Sequence, residues 1–516
     1  MITDMQTERC MKGAAESHPD WASVADFLDI DQESKTLFIS DLKRDDTSIH
    51  DITEYLMVCG FKFSVNHLSA NELTRRIEAR QLLEGTGGGS AVDSAIQQEA
   101  LNIFSKAAQI NASDIHIEIG SGHCEVEYRV NGDLERQVPI EKERAKSLMA
   151  AIMNSMLADG SNMYKPNERQ DGRIADARYL PAIVGSLRVA SGPIEGGGRL
   201  MVLRLLYKDT SSISGTLEQR LGTLGYNASQ IRDIRMAWDK PSGINLLAGP
   251  TGSGKSTTLK HILECKKAEH PEENFVSVED PPEYRIQGVR QIPVNNAKGS
   301  DARSEAFVDV IRFCLRADPD KMLVGEIRDS ASLGMAVKVA LSGHGVSASV
   351  HANSAFGIMK RLVDMMRSAE NPDPMLTLAD DTVITGLIFQ KLVKISCPHC
   401  AIPFEKATVK ADLNERIELS IPKENRANIA FVNPKGCSKC DKGVAGREVV
   451  AEIVVATEKL MEVLKSEGIF EAKRYWQEQM GGLTVREHAI EKVIQGRVAP
   501  DAAEKAVGPL ATNIHV

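Results

Sequence analysis

This 516-residue sequence predicts an α/β nucleotide-binding domain preceded by a smaller α+β domain. Three observations carry that expectation. GPTGSGKST, Gly249 to Thr257, is a glycine-rich turn between an apolar run of strand length and a stretch of helical periodicity. From about residue 216 to 455, apolar strand-like runs alternate with helical segments, the pattern of strand–helix units. Between residues 91 and 208, period-two alternation marks half-buried strands.

In chain order, residues 1 to 84 have mixed patterning and no catalytic motif, so their fold stays unassigned. EGTGGGS, Glu84 to Ser90, has the composition of a flexible linker. AIQQEALNIFSKAAQI predicts a helix; SDIHIEIG, CEVEYRVNGDLERQV, GSLRVASG and RLMVLRLLYK predict strands. These make up the smaller domain, 91–208, which ends at a second linker, 209–215. The nucleotide-binding domain then runs from 216 to 516 and finishes in helices drawn from TEKLMEVLKSEG and LTVREHAIEKVIQGRV.

Composition narrows the function classes. Hydrophobic residues make up 42% and charged residues 26%, as in ordinary globular proteins, and no apolar run reaches the roughly 18–20 residues of a membrane span. MITDMQTERCMKG has acids where a secretory signal is basic and then apolar, so a cytoplasmic location is expected. A net charge of −9 argues against nucleic acid as the main partner, because phosphate backbones need a basic surface.

The glycine-rich stretch fits the P-loop pattern. GINLLAG reads as the strand before it, and STTLKHILECKK as the helix after it. That geometry aims backbone N–H groups and a helix N-terminus at phosphate oxygens. Gly249, Pro250, Thr251, Gly252, Ser253, Gly254, Lys255, Ser256 and Thr257 are therefore expected to bind nucleotide. Lys255 would neutralise the β- and γ-phosphates, and the Ser256 hydroxyl would complete a Mg²⁺ shell of oxygens.

Four clusters surround this loop. VSVEDPPEY ends an apolar strand in Glu279 and Asp280, and MLVGEIRD does so in Glu326. SGHGVSASVHAN carries His344 and His351, and IRFCLRADPD sets Arg312 and Arg316 four apart on one helical face. Each alone reads more often as structural: an exposed acid, a core histidine or a solvated arginine face. Their succession after a P-loop gives them a shared meaning: acids at strand ends hold a metal's water shell and an attacking water.

Nine cysteines need explaining. Cys10, Cys59, Cys124, Cys265 and Cys314 are scattered and expected to be reduced and partly buried. Cys397 with Cys400, and Cys437 with Cys440, form two C-x2-C pairs, which in a reducing compartment read as one structural Zn²⁺ site. It would sit in an insertion of about residues 390 to 450. His399 lies within the first pair, but four thiolates already fill a tetrahedral shell.

Together these stretches resemble the type II/type IV secretion ATPase superfamily, most closely its branch of type II secretion and type IV pilus assembly ATPases. The P-loop, VEDPPEY, DKMLVGEIRD and SGHGVSASVHAN match the family's Walker A, Asp box, Walker B and His box. ASDIHIE, YRVNGDL, QDGRI and RLMVLRLL match its second N-terminal domain. The resemblance runs from about residue 95 to 505. It implies a RecA-like ATPase domain and makes the first 84 residues a docking region.

It also implies roles. Glu326 polarises the attacking water, and Glu279 with Asp280 assists at the metal. His351 lies near the γ-phosphate, with His344 in the same box. Arg188 and Arg204 reach the nucleotide from the smaller domain, with Arg173 nearby in sequence, and Arg312 and Arg316 stabilise charge on the phosphates. The tetracysteine pattern and GREVVAE, Gly446 to Glu452, fit the assembly and secretion branch. The implied protein is a homo-hexameric ATPase using ATP, Mg²⁺ and structural Zn²⁺. It would lie at the cytoplasmic face of the inner membrane, on a platform protein and a cytoplasmic docking protein. A pilus retraction motor, a conjugation-type secretion ATPase and a P-loop small-molecule kinase are the alternatives.

Overall fold

The computed structural model describes residues 24, 27–31, 34–43, 46–69, 72–73, 91–120, 124–158, 163–208, 215–294, 300–367 and 373–511. The expected linker at 84–90, residues 209–214 of the second linker and Cys10 lie outside them.

The P-loop strand, Gly243–Ala248, is buried at all six positions, because it lies inside a sheet covered on both faces. That sheet has seven strands in the order 290–293, 275–279, 321–324, 345–350, 243–248, 384–396, 444–455. The first six run parallel, and the last pairs antiparallel to its neighbour. Apolar runs in the sequence become central strands, and the carboxyl ends of five parallel strands share one edge with the P-loop. In open parallel sheets that edge is where ligands bind. Helix Lys255–Glu269 packs Leu259, Ile262 and Leu263 against Leu247 and Ile388. Burying each such side chain stabilises the fold by about 1.5–3 kcal/mol.

A second sheet of six antiparallel strands follows the order 133–136, 124–130, 114–119, 198–207, 184–194, 170–174. Its alternation is literal in Cys124–Val130, where every second residue is buried. One face packs Ile115, Ile117, Val126 and Leu203 against helices Ala91–Gln109 and Lys142–Ala151. The other face carries polar and charged residues. The turn at Asn131 and Gly132, both at positive φ, carries Asp133 to the large domain. Asp133 pairs there with Lys394 and with Lys505 (2.6 Å), and Glu135 pairs with Lys442 (2.7 Å).

The first 84 residues, unassigned from sequence, contain a third small sheet. Leu28–Asp31 pairs antiparallel with Thr36–Ser40, which pairs parallel with Ser64–Leu68. Helix Thr47–Val58 covers it, and Leu28, Ile30, Leu37, Ile39, Ile49, Ile52 and Leu56 form its core. Among the scattered cysteines, Cys124, Cys265 and Cys314 are buried as expected, whereas Cys59 is exposed. It follows the last turn of Thr47–Val58 on the solvent side.

Candidate active site

Gly249 and Gly254 shape the loop. Gly249 has φ 154° and no room for a Cβ, which would meet the Gln390 carbonyl oxygen at 2.3 Å. Gly254, at φ 84°, caps helix Lys255–Glu269 and turns its first N–H groups toward the loop. Lys255 Nζ donates to the carbonyls of Gly249 (2.8 Å) and Pro250 (3.3 Å). Burial lowers the Lys255 pKa, while Glu326 and Glu283 oppose that shift. Its charge therefore sits among acids that a phosphate-bound metal would screen.

Two neighbouring strands deliver the acids. Strand Phe275–Glu279 ends in Glu279, whose Oε1 accepts from Ser277 Oγ (2.7 Å) and Gln291 Nε2 (3.0 Å). Burial raises the Glu279 pKa. Glu326 follows strand Lys321–Val324 by two residues. Its Oε2 accepts from Arg328 Nε at 2.7 Å, and its Oε1 lies 3.2 Å from His351 Nε2. Arg328 also reaches Asp280 Oδ2 at 3.2 Å, so one guanidinium bridges the two acidic motifs. Between them lies a cavity of about 40 Å³, lined among others by Ser256, Glu279, Glu283, Tyr284 and Ser349. Ser256, Glu279 and Glu283 offer hard oxygens of the kind Mg²⁺ takes, while Leu259, Ile286, Leu323 and the Lys260 side chain close the rest of the wall.

The arginines of the smaller domain form a row. Cross-strand register sets Arg173 opposite Arg188, Arg188 opposite Arg204, Arg204 opposite Asp114, and Asp114 opposite Arg129. All lie on the face away from the covering helices. Arg204 Nε donates to Asp114 Oδ1 at 2.9 Å, inside its own sheet, and Arg173 donates to Ser186. Arg188 reaches across and donates to the Pro281 carbonyl (3.3 Å), next to Asp280. Burial lowers the Arg188 pKa against the pull of Glu283.

Three expected residues are not brought to the loop within this chain. His344 precedes strand Gly345–Val350, whose first residue pairs with Gly243 and whose last pairs with Ala248. It therefore lies about 20 Å from His351, at the opposite edge of the sheet. There its Nδ1 lies 3.0 Å from Ser342 Oγ. Arg312 sits near the end of the 16-residue helix Ser300–Leu315, which precedes strand Lys321–Val324. That helix, about 24 Å long, carries its last turn away from the loop. Arg312 pairs with Asp309 (2.8 Å), and Arg316 falls one residue beyond the helix rather than on its face.

The cysteine pairs stand at the base of an insertion, 397–443, between strands Ile384–Ser396 and Val444–Val455. All four sulfurs lie within 4.8 Å of one another. Sulfur separations are 3.9 Å for Cys397–Cys437 and 3.6 Å for both Cys400–Cys440 and Cys437–Cys440. A tetrahedral zinc with Zn–S bonds of about 2.3 Å needs S–S edges of about 3.8 Å. The donor set fits zinc.

A phosphate-cradling loop, acids at adjacent strand ends and a lysine among them define a P-loop ATPase. No helix among the described residues is long and apolar enough to cross a membrane. The chain belongs to the family described as Type II/IV secretion system protein, which it matches over residues 90–505.

The chain is 33% identical over 359 residues to the type II secretion system protein E of Klebsiella pneumoniae, covering 69% of this chain and 65% of that one. It is 32% identical over 441 residues to the type II secretion system ATPase E of Vibrio cholerae, covering 81% and 80%. Identity to the type IV pilus assembly ATPase PilB of Thermus thermophilus is 30% over 430 residues, 83% of this chain but 44% of that longer one. The solved ATPase DotB of Legionella pneumophila superposes with a TM-score of 0.53 at 20% identity, covering 78% of this chain and 93% of that one, a likeness of fold. The fold is the expected one: a RecA-like α/β domain with a smaller α+β domain and a further N-terminal region before it.

Sequence reading passed over several residues that the fold brings in. Glu283 stands inside VEDPPEY and Arg328 inside GEIRD, yet neither has a role from spacing alone. GREVVAE proves structural. Glu448 is buried against Lys492 (2.9 Å) and Arg497, and Glu452 Oε2 accepts from the Ala355 N–H that opens helix Ala355–Arg367.

Proposed function

We propose that this protein is a hexameric motor that hydrolyses ATP to drive a type II secretion or type IV pilus assembly machine. It would work at the cytoplasmic face of the inner membrane, against a platform protein and a docking protein. The observation that carries this reading is the division of cationic groups. Arg188 reaches the Pro281 carbonyl from a separate sheet, with Arg204 beside it in register, whereas Arg312 and Arg316 lie at the end of their helix remote from their own P-loop. If the last two act on phosphate, the phosphate belongs to a neighbouring copy, which a ring supplies. Lys255 and the loop amides hold the phosphates, Ser256 with Glu279 and Asp280 hold Mg²⁺, and Glu326 orients water. His351, touching Glu326, lies on the γ-phosphate side; His344 has no such position within one chain. Zinc on the four cysteines holds the insertion.

The test is ATP turnover against protein concentration, alone and with an inner-membrane platform protein, pilin or single-stranded DNA. Specific activity should rise with concentration as rings form and rise again with the platform protein. Stimulation by DNA alone would sink the reading.

Arg204→Ala tests the inter-domain part. Its guanidinium now serves Asp114, so reaching ATP means exchanging one anion for another. ATP affinity should stay within about threefold of the parent while hydrolysis falls at least tenfold. Nucleotide-driven compaction, read by solution scattering with a non-hydrolysable analogue, should weaken. A variant that closes and hydrolyses like the parent leaves Arg204 as a partner of Asp114 only.

A further inference from the structure

Gln390 is a polar residue inside the apolar strand Ile384–Ser396, and it is fully buried. It stands one position past Phe389, which pairs with Ala248 at the end of the P-loop strand. Its Nε2 donates to the Ser253 carbonyl of the loop at 2.7 Å. Its Oε1 accepts from the Tyr226 hydroxyl at 2.7 Å, and that hydroxyl lies 3.2 Å from Thr258 Oγ1. Tyr226 and Thr258 are buried as well. A carbonyl only accepts, so the amide NH₂ must face Ser253 and the amide oxygen must face Tyr226. Burial pushes the Tyr226 phenol well above its ordinary range, which keeps the required donor protonated.

We infer that Gln390 is a positioning residue that fixes the P-loop in its phosphate-binding shape, with Tyr226 as its support. This rests on the ATPase reading above. In a trans peptide the C=O and the next N–H point in opposite directions. Holding the Ser253 carbonyl against Gln390 therefore fixes where the Gly254 N–H points. That N–H is one of the donors such a loop offers to phosphate. The backbone of Gln390 shapes the same loop, since its carbonyl fills the space a side chain at Gly249 would need. Two contacts thus tie the loop to a strand 137 residues further on, the Ser253 carbonyl bond and the Gly249 packing, and Tyr226 links the same amide to Thr258 in the following helix. Anchored this way, the loop is already ordered before ligand arrives, which lowers the ordering cost of binding.

Three variants of the full chain test this. Gln390→Met keeps the volume and removes both hydrogen bonds. Gln390→Glu keeps the acceptor for Tyr226 and, protonated as a fully buried carboxyl is, donates its O–H to the Ser253 carbonyl. Tyr226→Phe removes one hydroxyl and is the mildest, so it serves if Gln390→Met does not fold. Two measurements are made: amide hydrogen exchange of residues 249–258 without nucleotide, and ADP binding with ATP turnover. Gln390→Met should exchange about tenfold faster in this segment and bind ADP about tenfold more weakly. KM for ATP should rise more than kcat falls, and Tyr226→Phe should show about a threefold effect. Gln390→Glu should bind ADP more tightly than Gln390→Met while melting no higher, because burying an acid costs stability. That order separates loop positioning from general stability. Exchange and ADP affinity equal to the parent, or an ADP loss that follows melting temperature across all three, overturns the proposal. If the parent itself fails to bind ADP, the ATPase reading falls, and the exchange measurement still decides whether Gln390 orders the loop.

Discussion

Glu326→Gln is expected to keep ATP bound while hydrolysis falls about 10²- to 10³-fold. Each carboxylate oxygen already has a partner, Oε2 facing Arg328 and Oε1 facing His351. An amide can keep its oxygen toward Arg328, which only donates, so its NH₂ must turn to His351. The side chain stays in place, but the negative charge that would orient and polarise a water is gone. Lys255→Ala should fail in the opposite order. It removes the cation that would meet the phosphates, so affinity falls by about tenfold or more and turnover follows. Equilibrium nucleotide binding and single-turnover hydrolysis on both variants separate the two outcomes. Normal turnover by Glu326→Gln would remove this residue from the water-activating role.

Local chemistry was what the sequence displayed well. GPTGSGKST is a loop because its glycines and lysine act within nine residues, and GINLLA is a central strand because both its faces are covered. The paired cysteines announced themselves by spacing, as their sulfurs converge within 4.8 Å. Contacts made across the chain were hidden. Gln390 stands in ITGLIFQKLVKIS beside Lys391 with nothing in the spacing to single it out, and its partner carbonyl lies 137 positions earlier. Arg328 has no role legible from spacing and acquires one only because the sheet brings Asp280 beside it. His344 and His351 share one short motif, yet a strand between them carries them to opposite edges of the sheet. The N-terminal region was unreadable for another reason. Its sheet is small, its strand Ser64–Leu68 has three exposed residues in five, and its periodicity is correspondingly weak.

Zinc removal should loosen the insertion and one inter-domain contact without disturbing the P-loop. Apart from the metal site, residues 397–443 have a modest apolar core: Leu413, Ile417, Ile421 and Ile429, with Phe404 and Phe431 stacked at 6.2 Å. That core orders the helical part of the insertion, but the two cysteine turns have little else to hold them. Without a cation, four thiols this close repel as they ionise, so metal binding and local folding are coupled. Lys442 follows Cys440 by two residues and pairs with Glu135 of the smaller domain, so disorder in that turn should spread to the 131–136 hairpin. Strands 384–396 and 444–455 are paired from Gly386–Val455 to Ser396–Val444, and this ladder should shield the central sheet. Purified reduced protein is expected to hold about one Zn²⁺ per chain. After chelation, or in Cys400→Ser with Cys437→Ser, amide exchange should accelerate by at least tenfold in the cysteine turns and by about two- to threefold in the 131–136 hairpin, which Lys394 and Lys505 still hold through Asp133. Residues 243–258 should exchange as before. Metal analysis finding no zinc in freshly reduced protein would overturn the site. Acceleration confined to 397–443 would keep the zinc but show that Lys442 does not carry its effect to the smaller domain.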